Sequence, residues 1–243
     1  MMFPMLRALV EAVLHSSRKE RFPEILLIDK PKGITSFDVI RILKQKHGSL
    51  KTGHARNLKI GHAGTLDPLA TGLLIVGIGE GTKRMNEFLK LPKSYKAHIV
   101  LGIKTDTGDM EGKVIEKKAV RSIDEGAVRK VLSLMLGKLL LPVPVYSAVK
   151  RGGVPLYKRA RRGEKVVPPI KEMEIKEIKL LDVVREKERV VLLVEMAVGS
   201  GTYVRSVAEE IGRRLGVPAV VGELRRTKIG TFDVHAAKRL EDI

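Results

Sequence analysis

A chain of 243 residues, 44% hydrophobic and 30% charged with no tract of biased composition, can bury one sizeable core, which excludes a disordered or fibrous polypeptide. Forty-six Lys and Arg against twenty-eight Asp and Glu leave a net charge of +18, which draws polyanions and makes nucleic acid the leading partner, with an inert basic surface as the alternative. The absence of cysteine excludes disulfides, zinc knuckles, iron–sulfur clusters and thiolate nucleophiles, and no apolar run approaches the roughly 20 residues of a membrane span, so a cytoplasmic protein without membrane contact is expected.

Residues 1–23 carry an apolar segment interrupted by Arg7, Glu11 and His15 with no small-residue cleavage site behind it, which fits an amphipathic N-terminal helix better than a signal peptide. Residues 24–29 read as a short strand, stopped by the turn Lys30-Pro31-Lys32-Gly33. A helix follows, with Ser36 as its cap and Val39, Ile40 and Leu43 at helical spacing. The basic stretch 44–59 has no period and reads as a flexible loop. Next come a strand at 73–78, a helix at 82–89, and a strand at 95–103 that Gly102 and residues 105–109 turn back. Ser122 and Glu125 predict a capping box for a helix reaching to about Met135. From Pro142 to Pro169 the chain is basic and irregular, an exposed excursion from the core over about 146–170. Residues 175–181 and 189–198 read as an antiparallel pair. A helix at 201–215 places Val207, Ile211 and Leu215 on one face, and a strand at 217–230 closes the series. Mixed strands and helices with no repeat and no long linker predict one domain built of both, over 24–243 behind the extension 1–23.

Two clusters fail as ligand sites. Gly77-Ile78-Gly79-Glu80-Gly81-Thr82-Lys83 sits between a strand and a helix, but its spacing fits neither a dinucleotide loop nor a phosphate-binding P-loop, so no nucleotide cofactor is expected. His47, His54 and His62 lack the spacing and nearby carboxylates of a metal site, so no metal is expected. The segment Gly61-His62-Ala63-Gly64-Thr65-Leu66-Asp67-Pro68-Leu69-Ala70-Thr71-Gly72 differs in kind. Pro68 pushes Asp67 out of the helical region, so a carboxylate is held on a stiff loop, either as a catalytic group or as an ordinary Asp-Pro turn.

That string resembles the catalytic motif of TruB-family pseudouridine synthases, and other segments resemble the family in the same order. Ile28-Asp29-Lys30-Pro31-Lys32-Gly33 with Thr35-Ser36 is similar to its opening motif, Lys93-Ser94-Tyr95-Lys96-Ala97 to its tyrosine motif, and Leu101 through Thr107 to the strand end beyond it. Pro144-Val145-Tyr146-Ser147-Ala148-Val149-Lys150 resembles a further motif, Gly199 through Ser206 the arginine motif, and Leu224-Arg225-Arg226 the closing strand. Coverage runs from about residue 24 to 240.

The resemblance implies an α+β class, the pseudouridine synthase fold, with a mixed and mainly antiparallel sheet flanked by helices around an RNA-binding cleft. It implies an RNA-modifying isomerase, without cofactor, that converts a uridine of the T loop of tRNA and works as a monomer. Asp67 would be the nucleophile, attacking either C1′ of the ribose or C6 of the uracil. Arg205 would pair with it, and Tyr95 would stack on the flipped base and help to remove the C5 proton. His62, Lys30 and Tyr203 would lie against the substrate. Lys150, Arg159, Arg161 and Arg162 would clamp the A-form T stem through its backbone, a solvated charge run being the alternative. No separate C-terminal RNA-binding domain is expected after the catalytic domain. Two rivals stand beside this reading: a guide-RNA-dependent synthase subunit, and a non-catalytic RNA-binding or RNA-chaperone protein.

Overall fold

The computed structural model describes residues 24–49, 58–187 and 189–243. The helix expected within 1–23 and the tip of the loop expected over 44–59 lie outside the described residues.

One mixed sheet organises the molecule. Its strands are β1 (Ile25–Lys30), β2 (Ile60–His62), β3 (Thr71–Ile78), β4 (Lys93–Leu101), β7 (Gly137–Pro142), β10 (Ile170–Glu186), β11 (Arg189–Val198), β12 (Ala219–Ile229), β13 (Phe232–Asp233) and β14 (Lys238–Arg239). The order is β14-β1-β3-β12-β4-β11-β10-β7, with β2 added to β3 and β13 to β12. Every pair is antiparallel except β1 with β14 and β3 with β12. The parallel contact of β3 with β12 is short, Thr71 opposite Arg225 and Gly72 opposite Arg226, and forms a seam between two halves of the sheet. Two small hairpins stand apart, β5 (Ile103–Thr105) with β6 (Val114–Lys117), and β8 (Lys150–Arg151) with β9 (Val154–Pro155).

Alternation along β11, with Val190, Leu192, Val194, Met196 and Val198 all buried, turns one face of the larger half inward. Against it lie Val128 and Leu132 of helix α3 (Glu125–Ser133) and Val207, Ala208 and Ile211 of helix α5 (Val204–Leu215). On the other side of the seam, Leu26, Ile28, Leu74 and Val76 of β1 and β3 pack on Val39, Ile40 and Leu43 of helix α1 (Ser36–Ser49). The opposite face of β3 packs through Leu73 and Ile75 on Met85 and Phe88 of helix α2 (Met85–Lys90), which follows a 3-10 turn at Gly79–Arg84.

Several local expectations change. The cap of α1 is Thr35, whose hydroxyl accepts from Asp38 N–H at 3.0 Å while Asp38 accepts from Thr35 N–H at 2.8 Å, a reciprocal box that leaves Ser36 free to turn inward. The helix also runs through Lys44 to Ser49 instead of dissolving at Lys44, because Lys46 donates to the carbonyls of Leu240 and Ile243 at 2.7 and 2.6 Å. Asp124, not Ser122, caps α3 by accepting from Gly126 N–H at 2.9 Å, and the helix stops at Ser133. The excursion is not irregular. It holds the β8–β9 hairpin and a short helix, α4 (Leu156–Arg161), rooted by the fully buried Leu156 in the main core.

Candidate active site

The loop between β2 and β3 carries Asp67 and is fixed by its neighbours on both sides. Leu66 and Leu69 are each 3% exposed in the main core, a burial that stabilises the loop by about 2 kcal/mol per side chain. Asp67 accepts at its main-chain oxygen from Ala70 N–H at 3.0 Å, which closes a turn with Pro68 in the position its fixed φ favours. Pro68 O in turn accepts from Gly33 N–H at 2.9 Å and from the Lys30 ammonium at 3.4 Å. The turn after β1 is thus the cradle of the loop that holds the carboxylate.

Arg205, in the first turn of α5, meets Asp67 from the other side. Its Nε lies 3.0 Å from Asp67 Oδ2, its Nη1 donates to Thr107 O at 2.7 Å, and its Nη2 donates to Tyr146 O at 3.0 Å. Asp109 Oδ2 stands 3.8 Å from Nη1 and is itself buried. With all three nitrogens engaged and 6% of its side chain exposed, Arg205 cannot be a surface contact to an RNA phosphate; it is a buried orienting cation. Asp67 keeps 33% of its side chain exposed, so one face of the carboxylate remains open to an incoming group. Burial raises the Asp67 pKa above the usual carboxylate value, and Arg205 opposes that rise without cancelling it. The result is a carboxylate more basic than one on the surface, held at a fixed angle, which suits a nucleophile.

The other expected residues fall into three groups. His62 lies on β2 with its Nδ1 buried and without a protein partner, and burial followed by the Arg226 charge lowers its pKa. Tyr95 is on β4, 8% exposed within the core that includes Leu66 and Leu69, and Tyr203 precedes α5 with its phenol pKa raised by burial. Lys30 is fully buried, and its ammonium donates to Pro31 O and Ile34 O at 2.8 and 2.7 Å besides Pro68 O. Burial lowers its pKa to about 8, and Glu111 and Asp67 partly counter that effect. Lys30 therefore shapes the cradle and offers no surface to a ligand. Lys150 is exposed on β8, while Arg159 pairs with Glu164 at 2.6 Å, Arg162 stands 4.0 Å from the same carboxylate, and Arg161 lies over the Tyr157 ring at 5.5 Å. This cationic group does not touch Asp67, but Tyr157 N–H donates to Ser147 O next to the Tyr146 carbonyl that Arg205 holds.

Three participants escape a sequence reading. Asp109 sits in a segment that reads as a plain turn. The Ser147 hydroxyl is buried without a partner meeting hydrogen-bond geometry, although it is close enough to Tyr203 to influence that phenol. Arg226 is 1% exposed, with Nε donating to Leu73 O at 2.7 Å and Nη2 to Gly64 O at 3.1 Å, which ties β12 to the loop that carries Asp67. Its burial had a signal, since adjacent residues of a strand face opposite ways and one of Arg225 and Arg226 must point inward. A concavity of about 590 Å³ opens along the Ser206–Arg213 side of α5 but contains none of these groups. Among the described residues no group of three His, Cys, Asp or Glu could hold a metal ion, and no helix is long and apolar enough to cross a membrane.

A family model described as the N-terminal domain of the TruB family pseudouridylate synthases matches residues 46–204. A tRNA pseudouridine synthase B from Xanthomonas oryzae pv. oryzae (strain MAFF 311018) is 39% identical over 219 residues, covering 90% of this chain and 67% of its own. A protein of the same name from Geobacter sulfurreducens is 41% identical over 217 residues, covering 89% and 67%. The chain spans about two thirds of the length of the curated relatives it matches. Among solved structures, a Cbf5-Nop10-Gar1 complex is similar at 27% identity and a TM-score of 0.65 over 90% of this chain and 52% of that one. An H/ACA RNP bound to a substrate RNA containing 2′-deoxyuridine follows at 26% and 0.62, over 90% and 51%. The mixed, mainly antiparallel sheet flanked by helices is thus the pseudouridine synthase fold, and the chain belongs to the TruB family of pseudouridylate synthases.

Proposed function

We propose that the chain is a tRNA pseudouridine synthase that isomerises the T-loop uridine, with Asp67 as its nucleophile. The carrying observation is the open carboxylate of Asp67, fixed ahead of Pro68 and paired at 3.0 Å with the buried Arg205. The relatives named tRNA pseudouridine synthase B, at 39% and 41% identity, support tRNA as the substrate. In the reaction Asp67 attacks the ribose at C1′ or the uracil at C6. Attack at C1′ expels the base through N1 and leaves an Asp67–C1′ ester, whereas attack at C6 leaves an Asp67–C6 adduct before the N1–C1′ bond breaks. In either case the base turns, C5 bonds to C1′, the bond to Asp67 breaks to return the free carboxylate, and the C5 proton leaves while N1 takes one up. Atoms balance within the nucleotide, so the isomerisation consumes no co-reactant. The uridine must leave its stack to reach Asp67, at a cost of a few kcal/mol that a loop lowers. Tyr95 would stack on the freed base. His62 Nδ1 and Ser147 Oγ, buried polar atoms without a well-formed bond, would find partners on the nucleotide. Lys150, Arg159, Arg161 and Arg162 would grip the stem.

The likeness to the H/ACA RNP favours a second reading, a catalytic subunit that needs guide RNA. Higher identity to the proteins named tRNA pseudouridine synthase B puts it behind the first. One experiment separates them: purified chain and unmodified tRNA are incubated without guide RNA, and pseudouridine is mapped for wild type and Asp67→Asn. The proposal expects modification of one T-loop uridine by wild type and none by the variant. A guide requirement, or an active Asp67→Asn, would end it.

A further inference from the structure

The residue immediately before the nucleophile is held at both of its main-chain groups by one hydroxyl. Ser36 Oγ accepts from Leu66 N–H at 2.8 Å and donates to Leu66 O at 3.2 Å, and Ser36 is 1% exposed. A hydroxyl has one proton to donate, so this pair of bonds uses it fully and leaves none for another group. Helix capping does not account for the residue, because Thr35 and Asp38 already close the first turn of α1. On the other side of Asp67, Gly33 N–H holds Pro68 O at 2.9 Å. The loop is therefore pinned at 66 and at 68, by Ser36 at the start of α1 and by Gly33 in the turn just before it, with the carboxylate between the pins. Arg205 fixes the far end of the Asp67 side chain, while Ser36 fixes the backbone from which that side chain springs.

We propose that Ser36 is a positioning residue for the nucleophile: its hydroxyl locks Leu66 and so aims Asp67 at the target nucleotide. The inference rests on the reading of Asp67 as nucleophile of a pseudouridine synthase. With 1% of its surface exposed, Ser36 offers no face to RNA, so its loss acts on the chemical step and not on binding.

The test compares Ser36→Thr with Ser36→Val, which share one shape and differ only in the hydroxyl. Any cost of the added methyl is common to both. Two quantities are measured: single-turnover pseudouridine formation at saturating unmodified tRNA with the KM for that RNA, and amide hydrogen exchange over residues 63–70. The threonine variant is expected to stay within about threefold of wild type. The valine variant should lose on the order of 30-fold in rate, as a small misplacement of a reacting group does, with KM within about twofold. Exchange at Leu66 should speed up with valine and not with threonine. Where valine prevents folding, Ser36→Ala serves as the hydroxyl-free partner. Equal rates and equal exchange in the two variants would overturn the proposal. If wild type formed no pseudouridine, the functional reading would fall, and the exchange data alone would decide whether Ser36 holds the loop.

Discussion

At Asp67 two opposed effects set the chemistry. Burial pushes its pKa up, and the guanidinium of Arg205 pulls it down by less. In the proposed reaction only the ionised form attacks, so activity is expected to rise with pH through the pKa of the folded enzyme, and that rise lies above the 3.8 of an ordinary aspartate. Arg205→Lys keeps the charge but replaces a planar fork that holds Asp67, Thr107 and Tyr146 together with a single ammonium. The variant should lose on the order of 100-fold in kcat through misplacement of the carboxylate. It should also shift the acid limb of kcat/KM further upward, because fewer hydrogen bonds then favour the ionised form. A pH profile of both enzymes checks this; an acid limb at or below 3.8 in wild type would contradict the balance described for Asp67.

At the scale of elements, the seam between β3 and β12 is the joint on which the site depends. Gly72 there has φ 101°, and a Cβ at that position would collide with the backbone of Arg226. Gly33 has φ 89° but open space around it. Gly72→Ala adds overpacking to the left-handed penalty and should destabilise by about 3 kcal/mol, whereas Gly33→Ala should cost only about 1 kcal/mol of strain. Denaturant midpoints of the two variants test the contrast, and equal midpoints would show that the seam relaxes. The same seam shows what the sequence could and could not display. Strands β4 and β11 and helix α5 announce themselves by local period and β3 by its unbroken apolar run, whereas Asp67 stands out only through the likeness of its whole motif to the family, because an Asp-Pro pair alone fits an ordinary turn as well. β7 does not announce itself, because it is an edge strand with four of six residues exposed, and neither does β6, whose four residues are all exposed. Ser36, Asp109 and Lys46 each take partners far along the chain, at Leu66, Arg205 and Ile243, and no local pattern encodes such pairings.

For the whole molecule the governing quantity is the charge of +18, and the question is where it acts. The segment from Lys150 to Lys165 carries seven Lys and Arg against the single carboxylate of Glu164, on a hairpin and helix that Leu156 anchors beside the site. Glu164 engages Arg159 at 2.6 Å and lies 4.0 Å from Arg162, so RNA gripped here as proposed would compete with an internal partner for part of this cation group. Replacing Arg159, Arg161 and Arg162 together with Ala should weaken tRNA binding and lower the slope of log affinity against log salt by up to about 3, roughly one for each phosphate that is no longer neutralised. Glu164→Gln should act in the opposite sense, because it frees Arg159 for phosphate. Neither change touches Asp67 or Arg205, so the single-turnover rate at saturating tRNA should hold. Binding titrations across a salt series measure both variants. An unchanged slope in the triple variant would mean that these cations only dress the surface, and that the grip on the stem lies elsewhere on the molecule.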